Sequence, residues 1–295
     1  MRARRTVAAT VLALIVPAAC SSSGSHVATA GVSTTSTPVT SATTTKPAPT
    51  TSTSVAQRAQ VVPSRTQYVV DGRSVDLVCK GRGRIPVVFQ AGGREAGLVW
   101  KDLVAALGPD VFTCVYDRPT TAYDSIPAAA PTELLSPRTI EDALAGALRQ
   151  AGVGPRVVLV AHSSGGMNAI VFGGDHTDLV AGAVLFDPSE PTGTTDRADG
   201  TRRGIDADAA TRQTRAVTRW PDVPLVVLTA DAKKAVQNKE ATAAEEADWI
   251  AGHRRYARLS PKGVQREDPG TDHFIYVSAP AVALATIREV IHDAG

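Results

Sequence analysis

Residues 157–166 read Val-Val-Leu-Val-Ala-His-Ser-Ser-Gly-Gly, which is the most informative stretch of the chain. Four branched apolar residues, as in a buried strand, give way to small residues, and Met167–Phe172 can continue as a helix. This order predicts a strand, a sharp turn and a helix, with Ser163 at the turn. The turn would expose the hydroxyl of Ser163, and a serine hydroxyl needs that access and a neighbouring base to act as a nucleophile.

The residues around Ser163 fit the pattern Gly-x-Ser-x-Gly except at its first position, where Ala161 replaces glycine. Alanine is the mildest replacement, but its methyl group leaves less room for the turn. Ser164 opens the predicted helix, so its N–H can face an oxyanion that develops at the site. A glycine- and serine-rich loop after a buried strand is the alternative interpretation of the same residues.

Apolar runs separated by helical segments predict the fold class. Ser136 can cap a helix with Pro137 in its first turn and Gly152 beyond its end, and the apolar residues between them form one stripe. Continuous apolar runs, as opposed to alternating ones, are typical of strands buried on both faces. We therefore predict an α/β fold with a mostly parallel central sheet flanked by helices on both faces. The runs are 87–89, 111–116, 157–160, 183–186 and 225–228.

The order of these segments resembles the α/β-hydrolase family from about Thr66 to the C-terminus. The turn at Ser163 is the most specific part of the resemblance, and the ordered set of segments adds to it. The resemblance implies the α/β-hydrolase fold with a short cap over the active site at about 188–221. The other pieces, in chain order, are the Cys-containing strand 75–83, Gln90-Ala91-Gly92-Gly93, Trp100, Tyr116-Asp117-Arg118-Pro119, Leu185-Phe186-Asp187-Pro188, the strand 224–229 and Asp272-His273-Phe274.

The resemblance also implies a serine hydrolase that cleaves an ester or amide through an acyl-enzyme on Ser163. His273 lies in a polar loop before the last helix, where the family places its catalytic base. The carboxylate that orients the base stays open between two aspartates, because the family places it after either of two strands. Asp187 follows one of these strands and is preferred, and Asp231 follows the next.

Backbone N–H groups form the oxyanion hole in this family, so the glycines after the third strand matter more than the side chains there. The resemblance assigns this role to Gly93 and Ser164, and it implies no cofactor and no metal ion. Asp117 and Arg118 match a pair at the end of a strand, which we interpret as a charge pair that braces loops near the pocket.

Two further expectations concern side chains near the predicted site. His162 adjoins Ser163, so its side chain is expected to point elsewhere. Trp249, His253 and Tyr256 fall on one face of a helix predicted within 239–258, and we interpret that face as a packing surface.

Two other functions stay open on the same fold. Ala161 and the unresolved choice of acid favour a catalytically inactive cell-surface binding lipoprotein. Other α/β-hydrolases carry out non-ester chemistry, such as C–C bond hydrolysis or cofactor-free haloperoxidase chemistry. Haloalkane dehalogenases and epoxide hydrolases of the family use an aspartate where this chain has Ser163, which argues against those two classes.

The N-terminus has the features of a targeting segment. Arginines precede an apolar run at 7–16 that is too short to span a bilayer comfortably, so 1–19 is predicted to be a signal peptide. Ala18-Ala19-Cys20 resembles a bacterial lipobox, which implies cleavage before Cys20 and lipidation of its thiol. A secretory signal that is cut near Ala19 is the alternative.

Residues 20–62 are dominated by Ser, Thr, Ala and Pro, a composition that predicts a flexible stalk ahead of the hydrolase domain at 63–295. A net charge of +2 and an aromatic content of 4% carry no signature of nucleic-acid binding. The expected partners are a small-molecule or lipid ester substrate and a membrane, through the anchor at Cys20, and the oligomeric state is left open. We expect a location on the outer face of the cytoplasmic membrane, or secretion.

Cys79 and Cys114 are the two cysteines that the predicted anchor does not use. An even number of remaining cysteines in an exported protein favours a disulfide. The resemblance places Cys79 on the second strand and Cys114 on the fourth, which are neighbours in the family's sheet. We therefore predict a disulfide between them, and two buried free thiols are the alternative.

Overall fold

The structure is a computed structural model that describes residues 65–93, 95–119, 133–190, 204–238 and 241–295. The predicted signal peptide, the whole of the predicted stalk and the predicted lipidation site at Cys20 lie outside these residues. Within the described ranges, none of the helices has the length and apolar character that crossing a bilayer requires.

Eight strands among the described residues form one mixed sheet in the order β1-β2-β4-β3-β5-β6-β7-β8. The β1–β2 and β2–β4 pairs are antiparallel, and every pair from β4 through β8 is parallel. The prediction of a mostly parallel sheet is confirmed. The strands are β1 (Thr66–Val70), β2 (Arg73–Lys80), β3 (Val87–Gln90), β4 (Thr113–Asp117), β5 (Val157–His162), β6 (Val180–Phe186), β7 (Pro224–Thr229) and β8 (Lys262–Glu267).

Burial explains why the central strands are continuous apolar runs. Every residue of β3, β5, β6 and β7 is buried, because helices cover both faces of the sheet at these strands. The edge strands β1 and β8 alternate between more and less exposed residues instead. The strands that could be found as apolar runs are therefore the ones at the centre of the sheet.

Helices lie on both faces of the sheet, as predicted. They are α1 (Lys101–Leu107), α2 (Pro137–Ala151), α3 (Ser164–Asp175), α4 (Ala207–Ala216), α5 (Ala232–Gln237), α6 (Ala243–Ala257), α7 (Ile275–Ser278) and α8 (Pro280–Asp293). One core cluster packs the sheet against α2, α3, α4 and α6, and the other packs it against α1, α7 and α8. The predicted caps of α2 are present: the Ser136 hydroxyl accepts from the Thr139 N–H, and Gly152 ends the helix at φ 64°.

The second half of the predicted cap belongs to the helical layer that contains α3. Residues 191–203 lie outside the described residues, so the boundaries of a cap at 188–221 stay a prediction. Residues 204–221 are described and contain α4. Trp220 follows this helix, and its indole N–H donates to the Ile170 carbonyl oxygen at 3.0 Å. A Cβ on Gly173 would lie 2.1 Å from this indole ring, so the glycine allows Trp220 to pack against α3.

The predicted disulfide is present in the structure. Cys79 of β2 lies directly opposite Cys114 of β4 in the antiparallel register, and the two sulfur atoms are bonded. Both side chains are buried within the core cluster on the α2 side of the sheet. The bond therefore links the antiparallel edge of the sheet to its parallel centre.

Removing this disulfide is expected to lower the free energy of unfolding by roughly 3–4 kcal/mol, because the bond closes a loop of 35 residues in the unfolded chain. The change is Cys79→Ala with Cys114→Ala, and the measurement is urea unfolding under oxidising conditions. Reduced wild-type protein is the control and should match the double variant. Equal stability of oxidised and reduced wild type would contradict the prediction.

Candidate active site

Ser163 occupies a strained turn between β5 and α3. Its φ of 52° and ψ of −124° lie in a region that residues with a side chain rarely adopt. Such a conformation costs about 1–3 kcal/mol and persists where its surroundings hold it. Three backbone hydrogen bonds do so here. The Ser163 N–H donates to the Phe186 carbonyl oxygen at 3.1 Å, and the N–H groups of Gly166 and Ser189 each donate to the Ser163 carbonyl oxygen at 2.9 Å. The predicted strand, turn and helix are therefore present, with Ser163 at the turn.

The two glycines after this turn allow two loops to approach Ser163. A Cβ on Gly165 would lie 2.5 Å from the Ala91 oxygen, and a Cβ on Gly166 would lie 2.4 Å from Pro188. Ala91 begins the loop after β3, and Pro188 follows β6. Larger residues at either glycine would push these loops away from the turn. Ala161, in place of the usual glycine, is fully buried within β5.

Asp187 and His273 form a short hydrogen bond. The His273 Nδ1 atom lies 2.6 Å from Asp187 Oδ2, although 86 residues separate them in sequence. The other carboxylate oxygen of Asp187 accepts from the Ala230 N–H and from the Trp249 indole N–H, each at 3.0 Å. Burial by itself raises the pKa of Asp187, but these hydrogen bonds and the neighbouring histidines outweigh it, so the pKa lies below its ordinary value. The buried carboxylate is thus ionised and oriented toward His273.

Asp231 has a different role in the structure. It caps α5, where its side chain accepts from the N–H groups of Lys233 and Lys234, and its second oxygen accepts from the Gly270 N–H at 2.7 Å. These backbone hydrogen bonds, first that of Gly270, lower the pKa of Asp231. The structure therefore brings Asp187 to His273 and uses Asp231 to hold a loop.

The Ser163 hydroxyl lies beside a second hydroxyl. Its Oγ atom is 3.3 Å from Ser189 Oγ, and within the described part of the chain it makes no hydrogen bond to His273. Catalytic hydrogen bonds are often long or unformed in the absence of substrate. The side chain of His273 is 40% exposed, so its ring is accessible at the surface of the site.

The backbone N–H groups of Gly93 and Ser164, the two predicted oxyanion donors, donate no hydrogen bond to any other described residue. The preceding N–H, of Gly92, is already used, because it donates to Glu95 Oε2 at 2.6 Å. Ser164 is the first residue of α3, where the helix dipole favours negative charge. The oxyanion role of Gly93 and Ser164 stays a prediction.

Asp117 and Arg118 brace loops as predicted, and both act through backbone groups. Asp117 accepts from the Gly97 N–H at 2.7 Å. The buried guanidinium of Arg118 donates to the Ala91 oxygen at 3.1 Å and to the Gly92 oxygen at 2.6 Å. Arg118 therefore holds the loop that carries Gly93.

As expected, the His162 side chain makes no hydrogen bond to Ser163 among the described residues, but its ring lies beside that of His273. Its Nδ1 atom is 3.0 Å from Glu95 Oε2, and its Nε2 atom is 3.0 Å from the backbone oxygen of His273. The two histidine rings lie 4.6 Å apart, centre to centre. Glu95, its partner, gave no signal in the sequence, since a single glutamate after a glycine pair has no distinctive pattern.

The aromatic face of α6 packs, as expected, but it also makes specific polar contacts. Besides Trp249, which donates to Asp187, His253 Nε2 lies 2.7 Å from the Pro188 oxygen, and the Tyr256 hydroxyl donates to the Ser189 oxygen at 2.9 Å. All three side chains therefore hold the segment that begins at Asp187. The sequence does contain a signal for this role. The three rings are spaced four and three residues apart, which puts them on one helix face, and each ring has a polar group that can form a hydrogen bond.

A pocket of about 210 Å³ opens beside the Asp187–His273 pair. Ser163 does not line it, so the pocket borders the Asp187–His273 pair and not the Ser163 hydroxyl. Among the described residues, no group of three or more His, Cys, Asp or Glu side chains is placed to hold a metal ion. The pocket is lined by Asp187, Ala230, Asp231, Lys234, Ala235, Ala241, Glu246, Trp249, Thr271, Asp272 and His273.

Solved structures with the same fold are numerous, although sequence identity to them is low. An esterase from a Rhodococcus species is 18% identical, with a TM-score of 0.56, and the match covers 79% of this chain and 100% of that one. A thermophilic esterase from Thermogutta terrifontis is 17% identical, with a TM-score of 0.55 and coverage of 79% and 99%. An epoxide hydrolase is 13% identical, with a TM-score of 0.54 and coverage of 77% and 98%. These likenesses show the fold and leave the chemistry open.

Sequence comparison agrees with the fold. No curated protein sequence matches the chain. A family model described as the alpha/beta hydrolase fold matches residues 85–232, which include the strand–turn–helix at Ser163 and the strand before Asp187. The matched residues make up half of the 295-residue chain. The chain belongs to the α/β-hydrolase family.

Proposed function

We propose that the chain is a serine hydrolase that cleaves an ester or amide through an acyl-enzyme on Ser163. The observation that carries the proposal is the 2.6 Å contact between His273 Nδ1 and Asp187 Oδ2, next to a serine on a strained turn. A nucleophile, a base and an oriented acid are the three parts that acyl transfer by serine requires. Carboxylesterase or lipase-like activity is the narrower form of this proposal.

Each part has a defined step. His273 Nε2 takes the proton of the Ser163 hydroxyl as its oxygen attacks the carbonyl carbon, and the oxyanion accepts from the N–H groups of Gly93 and Ser164. His273 then gives that proton to the leaving alcohol or amine. Water, activated by the same imidazole, releases the acyl group and restores Ser163. Asp187 holds the Nδ1 hydrogen and stabilises the imidazolium throughout.

A fluorophosphonate probe tests the proposal, because it labels an activated serine. We expect labelling of the wild type at one site, Ser163, together with hydrolysis of at least one member of a panel of short and long acyl esters. Folded protein that takes up no label would contradict the proposal and favour the catalytically inactive binding lipoprotein. Labelling without ester or amide turnover would favour non-ester chemistry on the same serine.

We also propose that the protein is a lipoprotein anchored through Cys20 on the outer face of the cytoplasmic membrane. The sequence Ala18-Ala19-Cys20 supports this proposal. The disulfide between Cys79 and Cys114 supports it as well, because it uses two of the three cysteines and leaves the thiol of Cys20 for a lipid. One acyl chain gives marginal binding, so stable anchoring needs more than one chain on that cysteine.

Replacing Cys20 by alanine is expected to move the protein from the membrane fraction to the soluble fraction, because the thiol that carries the lipid is lost. The measurement is detergent phase partitioning of protein expressed in a bacterial host. Cys79→Ala serves as the control, because it also removes a thiol but leaves the anchor. A Cys20→Ala protein that partitions like the wild type would contradict the anchor.

A further inference from the structure

His162 bridges two parts of the site that the proposed mechanism uses separately. Its Nε2 atom lies 3.0 Å from the backbone oxygen of His273, the proposed base. Its Nδ1 atom lies 3.0 Å from Glu95 Oε2 in the loop after β3. The ring is 1% exposed and packs against the Phe274 ring with 5.1 Å between centres. The buried imidazole thus spans from the base to the loop of the proposed oxyanion donor.

Glu95 anchors the other end of this bridge. Besides His162, its Oε2 atom accepts from the Gly92 N–H at 2.6 Å, and its Oε1 atom accepts from the Tyr276 hydroxyl at 2.9 Å. Burial by itself raises the pKa of Glu95, but the hydrogen bond and the charge of His162 outweigh it, with Tyr276 and Gly92 adding to them, so the pKa lies below its ordinary value. Glu95 is therefore an ionised carboxylate that only accepts hydrogen bonds.

The loop at Gly92 is packed directly on this pair. A Cβ at that position would lie 2.4 Å from Glu95 Oε2 and 2.9 Å from His162 Nδ1. Any side chain there would separate the loop from the pair. Gly93, the proposed oxyanion donor, is the next residue along the chain, so the position of its N–H depends on this contact.

The two hydrogen-bond partners of His162 are both acceptors, which determines how many ring nitrogens must carry hydrogen. Both the backbone oxygen of His273 and the carboxylate of Glu95 accept hydrogen bonds, so both contacts form only when both ring nitrogens carry hydrogen. A ring with a single N–H keeps one contact and gives up the other.

We propose that His162 and Glu95 are positioning residues that tie the backbone of the base His273 to the oxyanion loop at Gly92. This inference rests on the proposed acyl-enzyme function. Neither side chain touches the reacting atoms. Acyl transfer requires the base and the oxyanion donors to keep their spacing within a fraction of an ångström, since misplacement by about 1 Å can slow a reaction a hundredfold.

Glu95→Gln is the sharpest test because it keeps the volume and removes only the negative charge. The amide oxygen can still accept from the Gly92 N–H, and the amide nitrogen can face the Tyr276 hydroxyl. What is lost is the negative charge that faces the Nδ1 atom of His162 at 3.0 Å. We expect kcat for a short ester to fall about tenfold with KM unchanged, because the base is less well placed while the substrate pocket is intact.

Glu141→Gln is the matched control. Glu141 is also fully buried, and it accepts from the Gln90 amide at 2.9 Å, two residues before Gly92. Burial raises the pKa of Glu141 to about 8, so its neutral form dominates at neutral pH and glutamine replaces it closely. We expect this variant to keep the kcat of the wild type.

The split between kcat and KM separates a positioning role from a general loss of structure. Misplacement of the base relative to the oxyanion loop lowers kcat and leaves KM unchanged, whereas damage to the fold or to the substrate pocket also raises KM.

Fluorophosphonate labelling of the wild type separates failure of this inference from failure of the proposed function. If the wild type is not labelled, the acyl-enzyme proposal fails, and this inference fails with it. If the wild type is labelled, a wild-type kcat in Glu95→Gln overturns the positioning role alone. A low kcat in Glu95→Gln that comes with a raised KM and a lower melting temperature indicates a purely structural role and also overturns it.

Discussion

Ser163→Ala and His273→Ala are each expected to abolish turnover, with kcat lower by about 10⁵–10⁶. Ser163 supplies the attacking oxygen, and His273 takes its proton and returns it to the leaving group. Each loss disables the same unit, so the double variant should be no slower than either single variant. The residual rate over water would come from substrate binding and from the backbone donors of the oxyanion hole.

The measurement is ester hydrolysis by each single variant and by the double variant, with the fluorophosphonate label as a second readout. His292→Ala is the control for the histidine change, because that side chain is 88% exposed and bonds to its neighbour Asp293. It should keep wild-type activity. A His273→Ala protein that turns over within tenfold of the wild type would mean that another base serves Ser163, and the assignment of His273 would have to be withdrawn.

Asp187→Asn is expected to lower kcat by about 10⁴. The amide has no negative charge to stabilise the imidazolium. Where its N–H donates to His273 Nδ1, it also holds the ring in the wrong tautomer. Asp231→Asn should stay within a few fold of the wild type, because asparagine caps helices about as well as aspartate. The comparison tests whether contact with His273 is what matters. Both aspartates follow neighbouring strands, but Asp187 contacts His273 and Asp231 contacts the backbone of Gly270.

Steady-state kinetics of both variants, at matched folded fraction by circular dichroism, decides this prediction. Each variant is the control for the other, because the chemical change is the same. Activity near the wild type in both would mean that a third carboxylate orients the base or that Ser163 and His273 work as a dyad. A large loss in Asp231→Asn alone would reverse the assignment.

The sheet was predictable because its central strands are buried on both faces. Burial demands continuous apolar residues, and β5, β6 and β7 show them plainly. The edge strand β8 is polar, as residues 262–267 read Lys-Gly-Val-Gln-Arg-Glu, and only its pairing with β7 identifies it. The disulfide between Cys79 and Cys114 is predictable only from the strand order of the family, because local sequence does not show that β2 and β4 are neighbours in the sheet.

The proposed site was predictable in part. The sequence places Ser163 on its turn because a strand followed by small residues is a local pattern, and only its place in the family's order points to His273. The acid was open because Asp187 and Asp231 follow β6 and β7, which are adjacent in the sheet. Nothing local distinguishes two aspartates at the ends of neighbouring parallel strands.

Local sequence thus determined the elements of this protein: buried strands, the caps of α2 and the turn that holds Ser163, all of which depend on residues a few positions apart. Only the tertiary structure decided which side chains meet: Asp187 with His273 across 86 residues, and His162 with Glu95 across 67. The physical reason is that a hydrogen bond depends on separation in space. The site forms at the carboxyl ends of the parallel strands, where the loops after β3, β5 and β6 meet the C-terminal segment. A pattern in the sequence cannot show which of these loops lie side by side.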